Sequence, residues 1–375
     1  MSRVSGTPAS SPAGEQASRL RRRDAAGPAS ETLARPVVAA MTAYTLELRE
    51  AEIKLNQNES PYDWPRALKE QVLARAVERP WNIYPDFESQ ALRDALATAY
   101  GLAPENIHVG NGSNELLAAT IGAFVGPGTP VIFPRPTFTL YEKLVTIAGG
   151  LPMPIEFEPD SGLLPLEEIL ARADENAVVI VCSPNNPTGG VLPDGGLQKL
   201  IDSGAMVLFD RAYGDFANDT FPALHPRLVT FSTFSKAWGL AALRVGWVAT
   251  TAENAKEIRK VKLPYSLNAI SEMAATIALE NRALRDANVA RIVGERERVV
   301  AEMRKLPRIK LFPTKANFVT FRAERNSKEI FEALYARGIL ARDVSAYPRL
   351  ANCLRISIGS PEQNDRMLAA LKEVA

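Results

Sequence analysis

The sequence predicts an α/β fold, with a large domain built on a mostly parallel sheet flanked by helices and a smaller α+β C-terminal domain. Three observations lead there. Short apolar runs at 131–133, 177–182, 205–209 and 228–231 are often β-branched and bounded by Gly, Pro, Asn or Asp, so they read as strands buried on both faces. Stretches with apolar residues at helical spacing, such as 116–124 and 166–173, lie between them. The last hundred residues change character, with long amphipathic helices at 270–280 and 285–305 ahead of two strands, 318–321 and 354–358. A helix at 327–337 lies between those strands and stops at Gly338.

Residues 1–40 are rich in Ser, Ala, Pro and Arg and contain no aromatic residue. Such a segment buries too little surface to fold and is expected to be a disordered tail, with Met41 as an alternative start. It has the Arg and Ser of a transit peptide, but its acids, Glu15, Asp24 and Glu31, and the missing apolar stretch weaken a targeting reading. Residues 41–65 are expected to form an arm that joins the small domain. The large domain is placed at 66–268 and the small one at 269–375. The large domain opens with helical spacing at Leu68, Val72, Leu73, Ala76 and Val77, then at Leu92, Ala95, Leu96 and Ala99.

Composition narrows the function. The chain has 375 residues, 46% apolar, enough for a sizeable core. Its 44 basic and 43 acidic residues nearly cancel, so no basic field points to nucleic acid. No apolar run reaches the roughly 18 residues of a membrane helix. A soluble, cytoplasmic protein is expected. Two cysteines give no disulfide framework, and Cys182 reads as a reduced core thiol. Two histidines, His108 and His225, lie in no metal-binding spacing, so no metal is expected. No G-x-S-x-G is present. Such an enzyme uses carboxylates and lysines directly or borrows a cofactor.

In open parallel sheets, functional residues collect beyond the carboxyl ends of the strands. Four segments qualify. Gly110-Asn111-Gly112-Ser113-Asn114-Glu115 precedes an apolar helix; Ser113 and Asn114 can cap it, and its free N–H groups can hold an anion. Glu115 breaks the dinucleotide pattern G-x-G-x-x-G. Ser183-Pro184-Asn185-Asn186-Pro187-Thr188-Gly189 forms a rigid turn that offers the Asn186 amide, or is turn chemistry alone. Asp210 ends a buried strand, where an acid needs a cation, a donor set or a capping role. Lys236, in Ser235-Lys236-Ala237-Trp238-Gly239-Leu240, is either a snorkelling surface residue or a desolvated, nucleophilic one. Arg244 adds a cation eight positions on.

An anion cradle, an aspartate and a lysine on successive strand tips match the needs of pyridoxal phosphate, PLP. The spans S-P-N-N-P-T-G, D-x-A-Y and S-K-x-x-G-L-x-x-x-R, in this order, resemble the fold-type-I PLP-dependent aminotransferases from about residue 44 to the end. More narrowly, Leu55-Asn56-Gln57-Asn58-Glu59-Ser60-Pro61, Tyr84-Pro85-Asp86, the Gly110–Glu115 turn, residues 262–268, Arg342-Asp343-Val344-Ser345 and 354–359 resemble the histidinol-phosphate aminotransferase family.

That resemblance implies roles. Lys236 would bind the cofactor covalently and shuttle the substrate proton, and Asp210 would face the pyridine nitrogen. Asn186 and Tyr213 would hydrogen-bond the ring 3-oxygen, and Phe138 would stack on the ring. Ser113, Asn114, Thr233, Ser235 and Arg244 would surround the cofactor phosphate. Tyr84 would reach the phosphate in the partner subunit, implying a homodimer with shared sites. Asn58, Arg342 and Arg355 would bind substrate, with Arg355 on the glutamate carboxylate or helping with the phosphate of the other substrate, and Arg342 on that phosphate. The implied reaction exchanges an amino group between glutamate and imidazole acetol phosphate, in histidine biosynthesis. The alternative is an aromatic amino-acid aminotransferase or a phospho-amino-acid decarboxylase of the same fold. Asn114 replaces the Asp of many relatives and Arg211 replaces a Glu; the sequence gives no place for the Arg211 charge.

Overall fold

The computed structural model describes residues 33–43, 49–158 and 161–374. Most of the segment expected to be disordered, 1–32, lies outside the described residues. Residues up to 43 form one unit, whose described part carries a single short helix, Pro36–Ala39. Residues 44–375 form the other unit.

Within that second unit, the arm carries β1 (Ile53–Lys54). Then come β2 (Ile107–Asn111), β3 (Pro130–Arg135), β4 (Leu151–Glu156), β5 (Val178–Cys182), β6 (Met206–Asp210), β7 (Leu228–Thr233) and β8 (Val245–Ala249). These form a seven-stranded sheet in the order β2-β8-β7-β6-β5-β3-β4. All run one way except β8, which is antiparallel to both neighbours.

Strand alternation explains why the sheet is buried on both faces. Ile180, Cys182 and Leu208 enter one apolar cluster, while Val179, Val181, Val207 and Phe209 enter the other. The helices Ser113–Phe124 and Ala252–Val261 pack together on the first side.

The four strand runs picked from the sequence are β3, β5, β6 and β7. Three others escaped for stated reasons. β4 carries Pro152 and Pro154, which an edge strand tolerates because one side of its backbone needs no partner. β8 contains Gly246, and β2 contains Gly110 opposite it. A Cβ at Gly246 would lie 2.1 Å from the Ser113 nitrogen, so this strand must stay bare where the next helix begins.

The C-terminal part holds β9 (Ile309–Leu311), β10 (Phe318–Ala323), β11 (Ile339–Leu340), β12 (Arg342–Asp343) and β13 (Cys353–Ser357). An antiparallel sheet forms in the order β12-β13-β10-β9. The long helices are Ala269–Glu280 and Arg282–Met303. β11 pairs in parallel with β1, and the Ser357 N–H donates to the Leu55 carbonyl at 2.9 Å, so the arm is sewn to C-terminal strands.

The helix Arg66–Glu78 corrects one expectation. Its apolar positions form two faces: Val72 and Ala76 are buried, while Leu73 and Val77 are 57% and 74% exposed.

Candidate active site

The strand tips open into a cavity of about 520 Å³. All the residues singled out from the sequence line it except Tyr84. Tyr84 is exposed and stacks on Tyr265, with ring centroids 4.7 Å apart.

β6 delivers Asp210 at its last position, with Cys182 and Phe231 as Cα partners on the adjacent strands. The carboxylate is buried, and burial raises its pKa. It accepts hydrogen bonds from the Tyr141 hydroxyl (Oδ2, 2.7 Å) and the Ala212 N–H (Oδ1, 2.8 Å), both of which oppose that rise. Among the described residues it has no ion-pair partner. A buried carboxylate facing a cavity with donors but no cation suits a protonated ring nitrogen.

Three residues on, Tyr213 is buried and its hydroxyl accepts from Asn58 Nδ2 at 3.0 Å. Asn58 is in the left-handed region, φ 56°. Its N–H donates to Ser357 Oγ at 2.8 Å, and its carbonyl accepts from Asn317 Nδ2 at 3.0 Å.

Lys236 follows β7. Its Nζ donates to the Gln57 carbonyl at 2.8 Å. Burial, with the Arg355 charge second, brings its pKa down to about 7. Lys236 is half-buried, with its ammonium bonded inside the cavity, which favours the desolvated alternative over a snorkelling surface lysine.

The anion cradle differs in detail from the expectation. Ser113 and Asn114 do not cap the helix by side chain; Gly112 occupies the cap position at φ +83°. Glu115 instead accepts from the Asn111 N–H at 2.8 Å. The first-turn amides therefore face the cavity without a capping side chain. Arg244 donates to Ser235 Oγ at 3.1 Å, and a Cβ on Gly112 would lie 2.5 Å from Arg244 Nη2. Thr233 Oγ1 accepts from the Ser235 N–H at 3.0 Å. Helix start, guanidinium and two hydroxyls thus converge where only glycine leaves room, a fit for a phosphate group.

Across the cavity, β12 and β13 bring Arg342 and Arg355 face to face. Arg355 donates to the Asn56 carbonyl at 2.8 Å and to Asn186 Oδ1. Asn186 is thus held by a residue from the C-terminal sheet. Asp343, the neighbour that could neutralise Arg342, accepts from the Ser345 N–H instead, and Arg342 has no ion pair among the described residues.

Sequence reasoning missed Tyr141 and Tyr347 and gave no role to Gln57 and Glu59, all of which also line the cavity. Tyr141 sits 69 positions from its Asp210 partner, a pairing no local pattern reveals. The unplaced Arg211 lies outside the cavity. It donates to the Asp219 carbonyl at 3.0 Å, and its guanidinium carbon lies 5.3 Å from the Phe221 ring centre. Among the described residues, no cluster suits a metal ion and no helix is long and apolar enough to cross a membrane.

Comparison with known proteins agrees with this architecture. The family described as Aminotransferase class I and II matches residues 50–371. The histidinol-phosphate aminotransferase of Chlorobaculum tepidum is 36% identical over 334 residues, 87% of this chain and 95% of that protein. The enzyme of the same name from Chlorobaculum parvum is 35% identical, covering 91% of this chain and 98% of that protein. Among solved structures, the Sinorhizobium meliloti histidinol-phosphate aminotransferase, in complex with pyridoxal-5'-phosphate, superposes with TM-score 0.81 at 24% identity, covering 92% of this chain and 98% of that one. The chain belongs to the class I and II aminotransferases and, within them, to the histidinol-phosphate aminotransferase family.

Proposed function

We propose that the chain is a PLP-dependent aminotransferase that moves an amino group between L-histidinol phosphate and 2-oxoglutarate. The products are imidazole acetol phosphate and L-glutamate. The observation that carries this is the meeting of Lys236, Asp210 and the paired arginines in one cavity, in a chain whose relatives bear that name.

Bound PLP supplies an electron sink for the substrate's Cα. The chain's own residues do the rest. Asp210 would hold the ring-nitrogen proton. Asn186 and Tyr213 would bond the ring 3-oxygen, and Phe138 would cover the ring face. Ser113, Asn114, Thr233, Ser235 and Arg244 would take the cofactor phosphate. The Lys236 amine, about half of it uncharged at pH 7, would hold the cofactor and carry the proton to and from the substrate's Cα. Asn58 and Arg355 bind the carboxylate substrate, and Arg342 takes the phosphate of the other.

A homodimer is part of this reading. Leu73, Val77, Trp81, Ile83, Tyr84 and Phe87 form an exposed apolar stretch in one chain, larger than scattered surface residues require. A second copy covering it would bring Tyr84 to the neighbouring cofactor phosphate. The large and small domains are assigned to 66–268 and 269–375. Two buried cysteines, Cys182 and Cys353, not joined in a disulfide, fit a reducing, cytoplasmic setting.

Half-reaction spectroscopy with histidinol phosphate, phenylalanine and threonine phosphate side by side tests the assignment. The cofactor band should shift fastest with histidinol phosphate. A faster response to phenylalanine would place the chain among aromatic aminotransferases.

A further inference from the structure

The cavity has an uneven charge inventory. Lys236, Arg244, Arg342 and Arg355 line it, against two acids, Asp210 and Glu59. Asp210 is buried and committed to Tyr141 and the Ala212 N–H. Glu59 is therefore the one carboxylate lining the cavity that a ligand can reach, with a side chain 37% exposed.

Its mounting is rigid. The three residues before it are each tied into the site through their carbonyls: Asn56 to Arg355, Gln57 to Lys236 and Asn58 to Asn317. The carboxylate itself is held by Lys54, at 2.8 Å. Both side chains are more than one-third exposed, so this pair is cheaply opened. Glu59 thus stands as a fixed acid with a releasable counter-ion at the rim of a cationic cavity.

The reaction makes two opposed demands on one cavity. Glutamate brings only carboxylates beside its amine, and a bare acid would repel it. Histidinol phosphate brings a ring whose N–H needs an acceptor, and the arginines offer only donors. A Glu59 that is neutralised by Lys54 in one half-reaction and exposed to the ring in the other satisfies both.

We propose that Glu59 is the specificity-determining residue that accepts the imidazole N–H of the substrate, with Lys54 masking it when glutamate is bound. This rests on the histidinol-phosphate reading above. Exchange of a charged acceptor for a neutral one is expected to cost about five- to thirtyfold in binding.

The test measures kcat and KM of the holoenzyme, wild type and Glu59→Gln, with three amino donors. These are histidinol phosphate, 2-aminopropyl phosphate as a ringless control, and glutamate. Cofactor absorbance and melting temperature confirm that the variant is folded and loaded. KM for histidinol phosphate should rise about five- to thirtyfold, with the ringless phosphate and glutamate changing less than about twofold. Lys54→Ala should do the reverse, raising KM for glutamate while sparing histidinol phosphate. Equal changes on all three donors, or none, would overturn the ring assignment while leaving the substrate reading intact. A wild-type enzyme that ignores histidinol phosphate would overturn both.

Discussion

Arg342 and Arg355 are direct Cα partners across the antiparallel pair β12–β13. Like charges placed opposite one another are destabilising unless something anionic lies between or above them. No acid pairs with Arg342 among the described residues. Arg342→Ala should raise KM for histidinol phosphate by ten- to a hundredfold and barely change that for glutamate, as expected for one charge-assisted contact of about 1.5–3 kcal/mol. Arg355→Ala should damage both half-reactions, because Arg355 also holds Asn186 and the Asn56 carbonyl. Steady-state kinetics on both substrates separate the two; equal and small effects would remove the phosphate site.

The lowered pKa of Lys236, about 7, gives a signed pH dependence. The free amine is the reactive form, so modification of the cofactor-free protein by a small aldehyde and borohydride should rise through pH 7, with the label on Lys236. Linkage runs in the same window. Between about pH 7 and 10.5 the unfolded chain holds a proton that the folded chain has released, so stability climbs as pH rises. Replacing Lys236 by Met should therefore stabilise the cofactor-free protein most below pH 7 and least above 10.5. Melting curves across that range check it.

Asp210 is costly to bury without a cation, and its raised pKa reflects that cost. Above that pKa the penalty is fully present, so Asp210→Asn should raise the melting temperature of the cofactor-free protein at neutral pH. The same change should cut turnover heavily, because an amide does not keep the ring nitrogen protonated. Tyr141→Phe should act in the opposite direction on stability, leaving a buried carboxylate oxygen short of a donor at about 1–3 kcal/mol. Near-normal turnover in Asp210→Asn would reduce Asp210 to a structural group.

Tyr84 lines no part of its own chain's cavity. Mixing inactive Lys236→Ala with inactive Tyr84→Ala protomers should restore some activity, since a hybrid dimer then holds one intact site. Absence of rescue after demonstrated subunit exchange would count against shared sites.

The four strand runs and the tips that follow them were legible because each is a local pattern: β-branched residues, then a turn, then one chemically distinctive side chain. Asp210, Lys236 and Arg244 could be found that way. Tyr141 could not, because it lies on a helix and its meaning comes from Asp210, 69 positions on at a strand tip. The hidden faces of Arg66–Glu78 misled for a related reason: apolar spacing shows that a face is to be covered, not by what. The capping expectation at Ser113 failed because residue preference does not distinguish a cap from a first-turn residue, whereas Gly112 at positive φ does. Arg211 sits beside Asp210 in sequence yet outside the cavity, since the chain turns away at the strand end.

The hydrogen bond from the Asn58 N–H to Ser357 Oγ joins residues 299 positions apart. A ribosome adding 5–20 residues each second needs on the order of 15–60 s to make the second after the first. Until then the segment that bears Gln57 and Asn58 has no C-terminal strand to hold it, and Lys236 has emerged without its full surroundings. A nascent chain can complete the central sheet early, but its catalytic centre is among the last things it makes. Truncation of even the final strand would leave a protein with most of its core and an unfinished site.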